Sequence, residues 1–179
     1  ACFEAFSLVL NSEFMRIETF LPFLKVASKI KALKEMGCLS ISFGLESGSE
    51  HLRKKVIKKP NFTNKQAIEN LKMVKRYGIS FNVFNIVGFP EETEEMIFET
   101  INVNHSIKPP YCQVGYFQPW EGVSLRDYSI ENNYLDKDST GLDNSKDNLL
   151  DSPLKNLPIQ QGRLKHLREK FQLYVYFNK

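Results

Sequence analysis

Cysteine is scarce in this sequence, and its few copies are far apart. Cys2, Cys38 and Cys112 are the three cysteines of a 179-residue chain. No two of them have the close spacing of a zinc knuckle, and an odd number cannot form a closed set of disulfides. We therefore expect free thiols, kept reduced in the cytoplasm, and no metal ligands in this chain.

Long apolar runs are also missing. No run reaches the roughly 18 residues that a membrane-spanning helix needs, and the N-terminal residues lack the pattern of a signal peptide. The formal net charge of +3 is too small to indicate a nucleic-acid partner by itself. Apolar residues are nevertheless plentiful at 42%, with 14 phenylalanines, which argues against wholesale disorder and favours one ordinary core.

One stretch is unusually basic. Residues 51–76 contain nine lysines and arginines but only one acidic residue, Glu69. A solvated face is the simplest interpretation, and a groove for RNA is the alternative. Few aromatic side chains interleave these bases, whereas single-stranded nucleic acid is bound by stacking as well as by charge. We therefore do not expect a nucleic-acid partner.

Apolar periodicity alternates between helix and strand along the middle of the chain. The predicted helices are Phe23 to Met36, Ser49 to Ile57, Thr63 to Tyr77 and Thr93 to Ile107. The predicted strands are Leu39 to Leu45, Ile79 to Val87 and Tyr111 to Gln118. This order predicts a parallel sheet with helices outside it. Phe3 to Phe20 fits neither period clearly.

The C-terminal part changes character. Residues 127–158 are polar and predict an exposed loop, and a helix is predicted from Ile159. Its apolar stripe is typical of a docking face and consists of Leu164, Leu167, Phe171 and Val175. We divide the chain accordingly into a sheet-and-helix part (1–125), a polar loop or linker (126–158) and a C-terminal helix (159–179).

The first candidate site follows the Leu39 strand, in the segment GLESGS from Gly44 to Ser49. Sites of α/β folds lie where strands end and helices begin. The Glu46 carboxylate can accept hydrogen bonds from ligand hydroxyls or an amine, and Gly48 permits close backbone approach. The plain alternative is that Ser49 only caps the next helix and that Glu46 pairs with Lys58 or Lys59.

Two further strand ends are candidates. The segment IVGFPEET places Gly88 at the end of a strand, where its missing side chain would let a flat ring lie against the backbone. The segment YFQPWEG is aromatic and would wall a planar ligand. An ordinary turn explains the first segment equally well, and aromatic residues at the end of a strand more often serve simple packing.

In this order, the segments resemble the second half of a radical S-adenosylmethionine (SAM) domain. The stretch from Gly37 through GLESGS to LRKKVIKK resembles that family's fourth strand and the helix after it. NIVGFPEETEE resembles its fifth strand, with the adenine motif and the turn that follows. QPWEGVSLRDYSIENNYLD resembles the FYPYPGT-type segment of the subgroup with cobalamin-binding relatives, and LREKFQLYVYF fits that subgroup's last helix.

The resemblance implies an α/β fold, an incomplete (β/α)6 TIM-like partial barrel with parallel strands and a C-terminal helical tail. It also implies an enzyme whose [4Fe–4S] cluster reductively cleaves SAM, either to a 5′-deoxyadenosyl radical or in the service of methyl transfer. Cobalamin is an expectation for the parent protein alone. The substrate and the reaction subtype are not implied.

The resemblance also assigns residues. Glu46 and Ser47 would lie near the SAM ribose or methionyl group, and Lys58, with Lys59 one position away, would meet the SAM carboxylate. The residues expected to pack on the adenine or to close the last strand are Ile86, Gly88, Phe117 and Gln118.

Some family features are missing. Phe84 stands where a polar residue is often found four positions before the glycine, with Asn82 and Asn85 nearby. The third strand's usual site residue has only Arg16 and Glu18 as candidates. CxxxCxxC, which binds the cluster, and the second strand's GGE-type motif do not occur, and both are N-terminal in the family. We therefore expect the chain to be a fragment, inactive alone, that needs the missing N-terminal half of its domain; a non-catalytic scaffold or binding module is the alternative.

Overall fold

A five-stranded sheet with helices beside it forms the centre of the described structure. The computed structural model describes residues 7–11, 14–19, 27–59, 62–139 and 151–177, of which 7–19 by backbone alone. The strands are β1 (Ser7–Asn11), β2 (Phe14–Thr19), β3 (Cys38–Glu46), β4 (Ser80–Val87) and β5 (Tyr111–Tyr116). The helices are α1 (Ala27–Glu35), α2 (Glu50–Lys55), α3 (Asn64–Arg76), α4 (Glu94–Ile107), α5 (Ser124–Glu131) and α6 (Gln161–Phe177).

The strands lie in the order in which they occur in the sequence, β1-β2-β3-β4-β5. Strands β2 to β5 pair in parallel, and a helix lies between each of these strands and the next. β1 is antiparallel to β2, as a hairpin requires when only two residues join its strands. The predicted parallel α/β sheet is confirmed, and the ambiguous N-terminal stretch contains this hairpin.

The two faces of the sheet differ. On β3 and β4 every second side chain is buried, including Phe43 and Phe81, and these pack in one core with side chains of α1, α3 and α4. The alternate residues face away from those helices and are only partly buried or exposed. We call this side the open face; its residues on β3, β4 and β5 are Ser40, Ser42, Gly44, Asn82, Phe84, Ile86, Gln113 and Gly115.

The helices begin where the predicted caps stand. Thr63 caps α3 through a full capping box with Gln66, and Gly78 ends this unit with a φ of 68°. The Thr93 side chain accepts a hydrogen bond from the Met96 amide and caps α4. Both helices therefore start within a residue of their predicted positions.

Helix α6 docks on the outer side of the sheet. Its four predicted apolar residues are fully buried in a core with α4 and β5. Arg163 forms a bidentate pair with Glu94, whose oxygens lie 3.0 Å from Nε and 2.6 Å from Nη2. Gln172 and Tyr176 donate to the main-chain oxygens of Cys112 and Pro109. The docking face predicted from the sequence is confirmed.

The loop predicted from residue 127 is wrong at its start. Residues 124–131 form α5, with Arg126 and Ser129 buried although both are polar. Their polar groups bond to main-chain oxygens, among them Ser129 Oγ to Leu125 at 2.7 Å, so burial costs little. The last strand also ends at Tyr116 instead of Gln118. The division at residue 125 stays a prediction, and residues 140–150 lie outside the described part.

No helix within the described residues is long and apolar enough to cross a membrane. A cytoplasmic location stays a prediction.

Candidate functional site

Three predicted site segments meet at one edge of the sheet, because the carboxyl ends of parallel strands lie together. Glu46 is the last residue of β3, and Gly88 directly follows β4. The Phe117 amide, just after β5, donates to the Val87 oxygen at 2.9 Å. The sequence thus located one edge of the fold correctly.

Glu46 holds an unusual backbone conformation. Its φ is 63°, a left-handed value that disfavours residues with a side chain. Its carboxylate folds back over Gly44, where an added Cβ would lie 2.4 Å from Oε1. The same oxygen lies 2.6 Å from Lys59 Nζ. The ion pair considered as the plain alternative is therefore present, while Lys58 is exposed and also left-handed, at 52°.

The remainder of this segment packs on α4. The Ser47 hydroxyl is buried, lies 3.3 Å from the Thr100 hydroxyl and accepts the Ser49 amide at 3.1 Å. A Cβ at Gly48 would lie 2.4 Å from Thr100 Cα. The close approach that Gly48 permits is thus to the helix. Ser49 occupies the cap position of α2 but makes no side-chain cap bond, so that part of the alternative is wrong.

Arg53 anchors the segment from Glu46 to Ser49 through hydrogen bonds. Its guanidinium is buried and donates to the Ser47 and Phe62 oxygens and to Asn64 Oδ1, the last at 2.8 Å. Burial lowers its pKa. Because three acceptors from two separate stretches of the chain converge on one planar group, the segment that carries Glu46 is held rigidly.

The turn after β4 is organised by a buried carboxylate. Glu92 accepts the amides of Gly88 and Phe89, at 2.5 and 3.3 Å, through one oxygen. Its other oxygen is buried and has no hydrogen-bond partner among the described residues. Burial raises the pKa of Glu92 to about 8, although the amide bonds act the other way. A Cβ at Gly88 would lie 3.2 Å from Leu164 and Ser152, so the C-terminal segment covers that side of the glycine.

The residues after β5 are less exposed than a ligand wall would be. Phe117 is buried, with its ring centroid 5.2 Å from that of Phe89. Ile86 and Gln118 are partly buried. The binding roles assigned to these residues stay predictions, but the Phe117 ring serves packing in this structure.

Gly115 was missed by the sequence reasoning. It is in register with Ile86 on the open face, and a Cβ built on it would meet no described atom within 4 Å. The backbone at Gly115 is therefore open on the side that it shares with the Ile86 side chain. A glycine inside a strand is a signal for such close approach, and it could have been noticed in the sequence.

Glu91 was also missed. Its φ is 63°, and its carboxylate accepts the hydroxyl of Tyr128 on α5. With Glu46 and Lys58, it is one of three left-handed, non-glycine residues near this edge. Strained backbone of this kind clusters at functional sites.

The open face has polar groups at mid-sheet. Asn82 lies 3.4 Å from Ser42 Oγ, and Phe84 is in register with Gly44 and Gln113. Asn85 points the other way, into a buried network with Asn104, so it does not reach this face. Arg16 and Glu18 are in register with Ser40 and Ser42, respectively.

A [4Fe–4S] cluster does not fit the described residues. No group of three or more His, Cys, Asp or Glu in the described ranges is placed to hold a metal ion. Cys38 and Cys112 are buried, and burial raises the pKa of both thiols, that of Cys112 to about 12. A thiolate is the form that binds iron, so neither is suited to it. Cys2 lies outside the described residues.

Known proteins resemble this chain in sequence and in fold. A Pyrococcus horikoshii protein described as an uncharacterized methyltransferase is 36% identical over 105 residues, which are 59% of this chain and 22% of that protein. The chain therefore spans about a fifth of the curated relative's length.

Two solved structures share the fold. Kitasatospora setae TsrM, a radical SAM methyltransferase solved with cobalamin and a [4Fe–4S] cluster, has a TM-score of 0.51 at 15% identity, over 56% of this chain and 20% of its own. Methanocaldococcus infernus Elp3 has a TM-score of 0.56 at 18% identity, over 65% of this chain and 28% of its own. These likenesses confirm the predicted α/β partial-barrel fold.

Residues 3–103, more than half of the chain, match the family described as the radical SAM superfamily. The resemblance found in the strand-end motifs is thereby confirmed. The chain belongs to the radical SAM superfamily.

Proposed function

We propose that this chain supplies the adenosine side of the SAM site of a radical SAM enzyme. The observation that carries the proposal is the uncovered backbone at Gly115 beside Ile86, at the same end of the strands as the Glu46 carboxylate. A flat ring fits bare backbone flanked by an aliphatic side chain, and a carboxylate can accept from both hydroxyls of a ribose.

Each residue at this edge has a defined part in the proposal. Ile86 and the Gly115 backbone both pack against the adenine ring. Glu46 accepts from the ribose and exchanges its contact with Lys59 for one with the ligand. Lys58 or Lys59 then meets the SAM carboxylate, and Gln118 supplies an amide at the end of β5.

Other residues act by holding these groups in place. Ser47, Gly88 and Phe117 are buried, so their part is to fix the strand ends. Arg53 does the same for the segment that carries Glu46. Positioning is what a protein contributes when the cofactor carries the chemistry.

SAM, when bound, supplies the adenosyl or methyl group that such enzymes release by breaking a carbon–sulfur bond of the sulfonium. Because the cluster does not fit the described residues, its ligands belong to other residues of the whole protein. Methyl transfer is supported by the likeness to the Pyrococcus methyltransferase and to TsrM, and cobalamin by the likeness to TsrM alone. They are proposals for the whole protein, and its substrate stays open.

RNA binding through residues 51–76 stays the alternative. Arg53 is turned inward and Lys59 contacts Glu46, so the surface charge of this stretch is smaller than its sequence suggests. A scaffold of the same fold is the other alternative, and it predicts no adenosine binding at this edge.

S-adenosylhomocysteine tests the proposal on the chain itself, because it carries the same adenosine without the reactive sulfonium. Titration followed by ¹⁵N NMR should shift the amides of Glu46, Ile86 and Gly115. Glu46→Gln should weaken binding about tenfold, the loss expected when one charged hydrogen-bond acceptor becomes neutral.

Glu69→Gln is the matched control, because Glu69 is exposed on α3, on the opposite side of the sheet, and should bind like the wild type. Shifts confined to other parts of the chain, or an unchanged affinity in Glu46→Gln, would contradict the proposed site.

A further inference from the structure

Helix α5 is tied to the turn after β4 by one side chain. The Tyr128 hydroxyl donates to the Glu91 carboxylate. This bond raises the pKa of Tyr128 to about 12, so the hydroxyl remains the donor at neutral pH. Glu91 holds a left-handed backbone at 63°, where glycine would be unstrained. Strained backbone clusters at functional sites, so the contact between Glu91 and Tyr128 is a candidate for a functional role.

The same helix is tied to the loop after β5. Arg126 is buried and donates to the main-chain oxygens of Pro119 at 3.0 Å and Ser139 at 2.6 Å. The Arg126 amide also bonds to the Val123 oxygen at 2.8 Å. Trp120, in this loop, is about half exposed, at 52%, although a tryptophan usually buries most of its surface.

An apolar cluster lies beneath these polar ties. Phe89 from the β4 turn, Phe117 from the end of β5 and Leu125 from α5 share it, and Tyr128 packs against it. Helix α5 therefore contacts both turns through apolar packing as well as through Tyr128 and Arg126.

We propose that α5 is a strut that sets the spacing between the Gly88 turn and the Trp120 loop, with Tyr128 and Arg126 as its positioning residues. The inference rests on the proposed function, since these turns flank the proposed adenosine edge. Under the proposed function, the strut holds the two turns beside the site in place before a ligand arrives, which reduces the ordering that binding requires.

The test uses the full chain without ligand and has a reporter at each end of the strut. Trp120 is the sole tryptophan, so acrylamide quenching of its fluorescence reports on the β5 loop. Hydrogen exchange at the Gly88 and Phe89 amides, followed by NMR, reports on the β4 turn. Tyr128→Phe should speed exchange at both amides about tenfold and increase quenching, while the α3 amides keep the wild-type rates.

Three further variants complete the test. Tyr134→Phe removes a hydroxyl from a tyrosine packed on the same cluster and should behave like the wild type. Glu91→Gln keeps an oxygen acceptor for Tyr128 and should stay near the wild type, whereas Glu91→Ala should match Tyr128→Phe. Wild-type exchange and quenching in Tyr128→Phe, or equal acceleration at every amide, would overturn the strut.

Measuring the affinity for S-adenosylhomocysteine separates this inference from the proposed function. Tyr128→Phe should bind S-adenosylhomocysteine several-fold more weakly than the wild type, and equal affinities would overturn the strut's role in the site. If the wild type does not bind the compound, the proposed function fails, and the ligand-free reporters still decide whether α5 is a strut.

Discussion

At the scale of single residues, the backbone angle of Lys108 makes its position more favourable for glycine than for a residue with a side chain. It ends α4 in the left-handed conformation, with φ 49°, and its amide donates to the Asn104 oxygen at 2.8 Å. Glycine adopts this conformation without the steric cost that a side chain brings. We expect Lys108→Gly to raise the free energy of unfolding by about 1 kcal/mol, measured by urea denaturation.

Lys72 provides the control for this prediction. It is exposed in the interior of α3, where glycine is less favourable than other residues by about 1 kcal/mol. Lys72→Gly should therefore destabilise the chain, so one substitution gives opposite signs at two sites. A loss of stability in Lys108→Gly would contradict the strain described at that position.

Glu92 makes stability depend on pH. Its folded pKa of about 8 lies above the ordinary value of a glutamate, so the native state holds a proton that the unfolded chain has lost. The free energy of unfolding should then fall as pH rises from about 4.5 to about 8, by up to about 1.4 kcal/mol per pH unit. Glu92→Gln should remove this slope, as thermal unfolding across that pH range would show.

Glu69→Gln serves as the comparison, because Glu69 is exposed and the change should leave the slope intact. If Glu92→Gln kept the wild-type pH dependence, the buried carboxyl would not be its source.

At the scale of elements, prediction depended on whether the signal was local. Thr63 and Thr93 predict the starts of α3 and α4, because an N-cap is a hydrogen bond between residues close in sequence. Helix α5 was missed because its buried positions include Arg126 and Ser129, which read as polar loop residues. Their burial is stabilised by main-chain oxygens that only the folded chain brings near, such as that of Pro119.

Helix α6 allows a direct test of docking. Phe171 is fully buried between α6 and the sheet, whereas Leu173, two residues later, is half exposed, at 52%. Phe171→Ala should cost about 3–5 kcal/mol, from lost burial and the cavity left behind. Leu173→Ala should change stability by less than about 0.5 kcal/mol. Equal effects in urea denaturation would mean that α6 does not dock as described.

At the scale of the whole molecule, the sequence predicted which strand ends lie together but not most of the contacts around them. Glu46 and Gly88 were predictable because motifs mark strand ends. The cover of Ser152 and Leu164 over Gly88 depends on segments far apart in sequence. The pairing of Glu46 with Lys59 rather than Lys58 depends on the folded backbone, whereas the glycine at position 115 is visible in the sequence. The hairpin of β1 with β2 could not be predicted either, because the apolar pattern of these residues fits neither a helix nor a strand clearly.

The docking of α6 also bears on how this sheet ends. Gln172 and Tyr176 donate to main-chain oxygens at and just before β5, the last strand of the sheet. Unoccupied main-chain groups along an edge strand are where a foreign strand can add. A chain shortened before α6 would present these oxygens, together with the apolar surface that α6 covers, to other copies. The helix thus covers main-chain oxygens near this strand as well as completing the core.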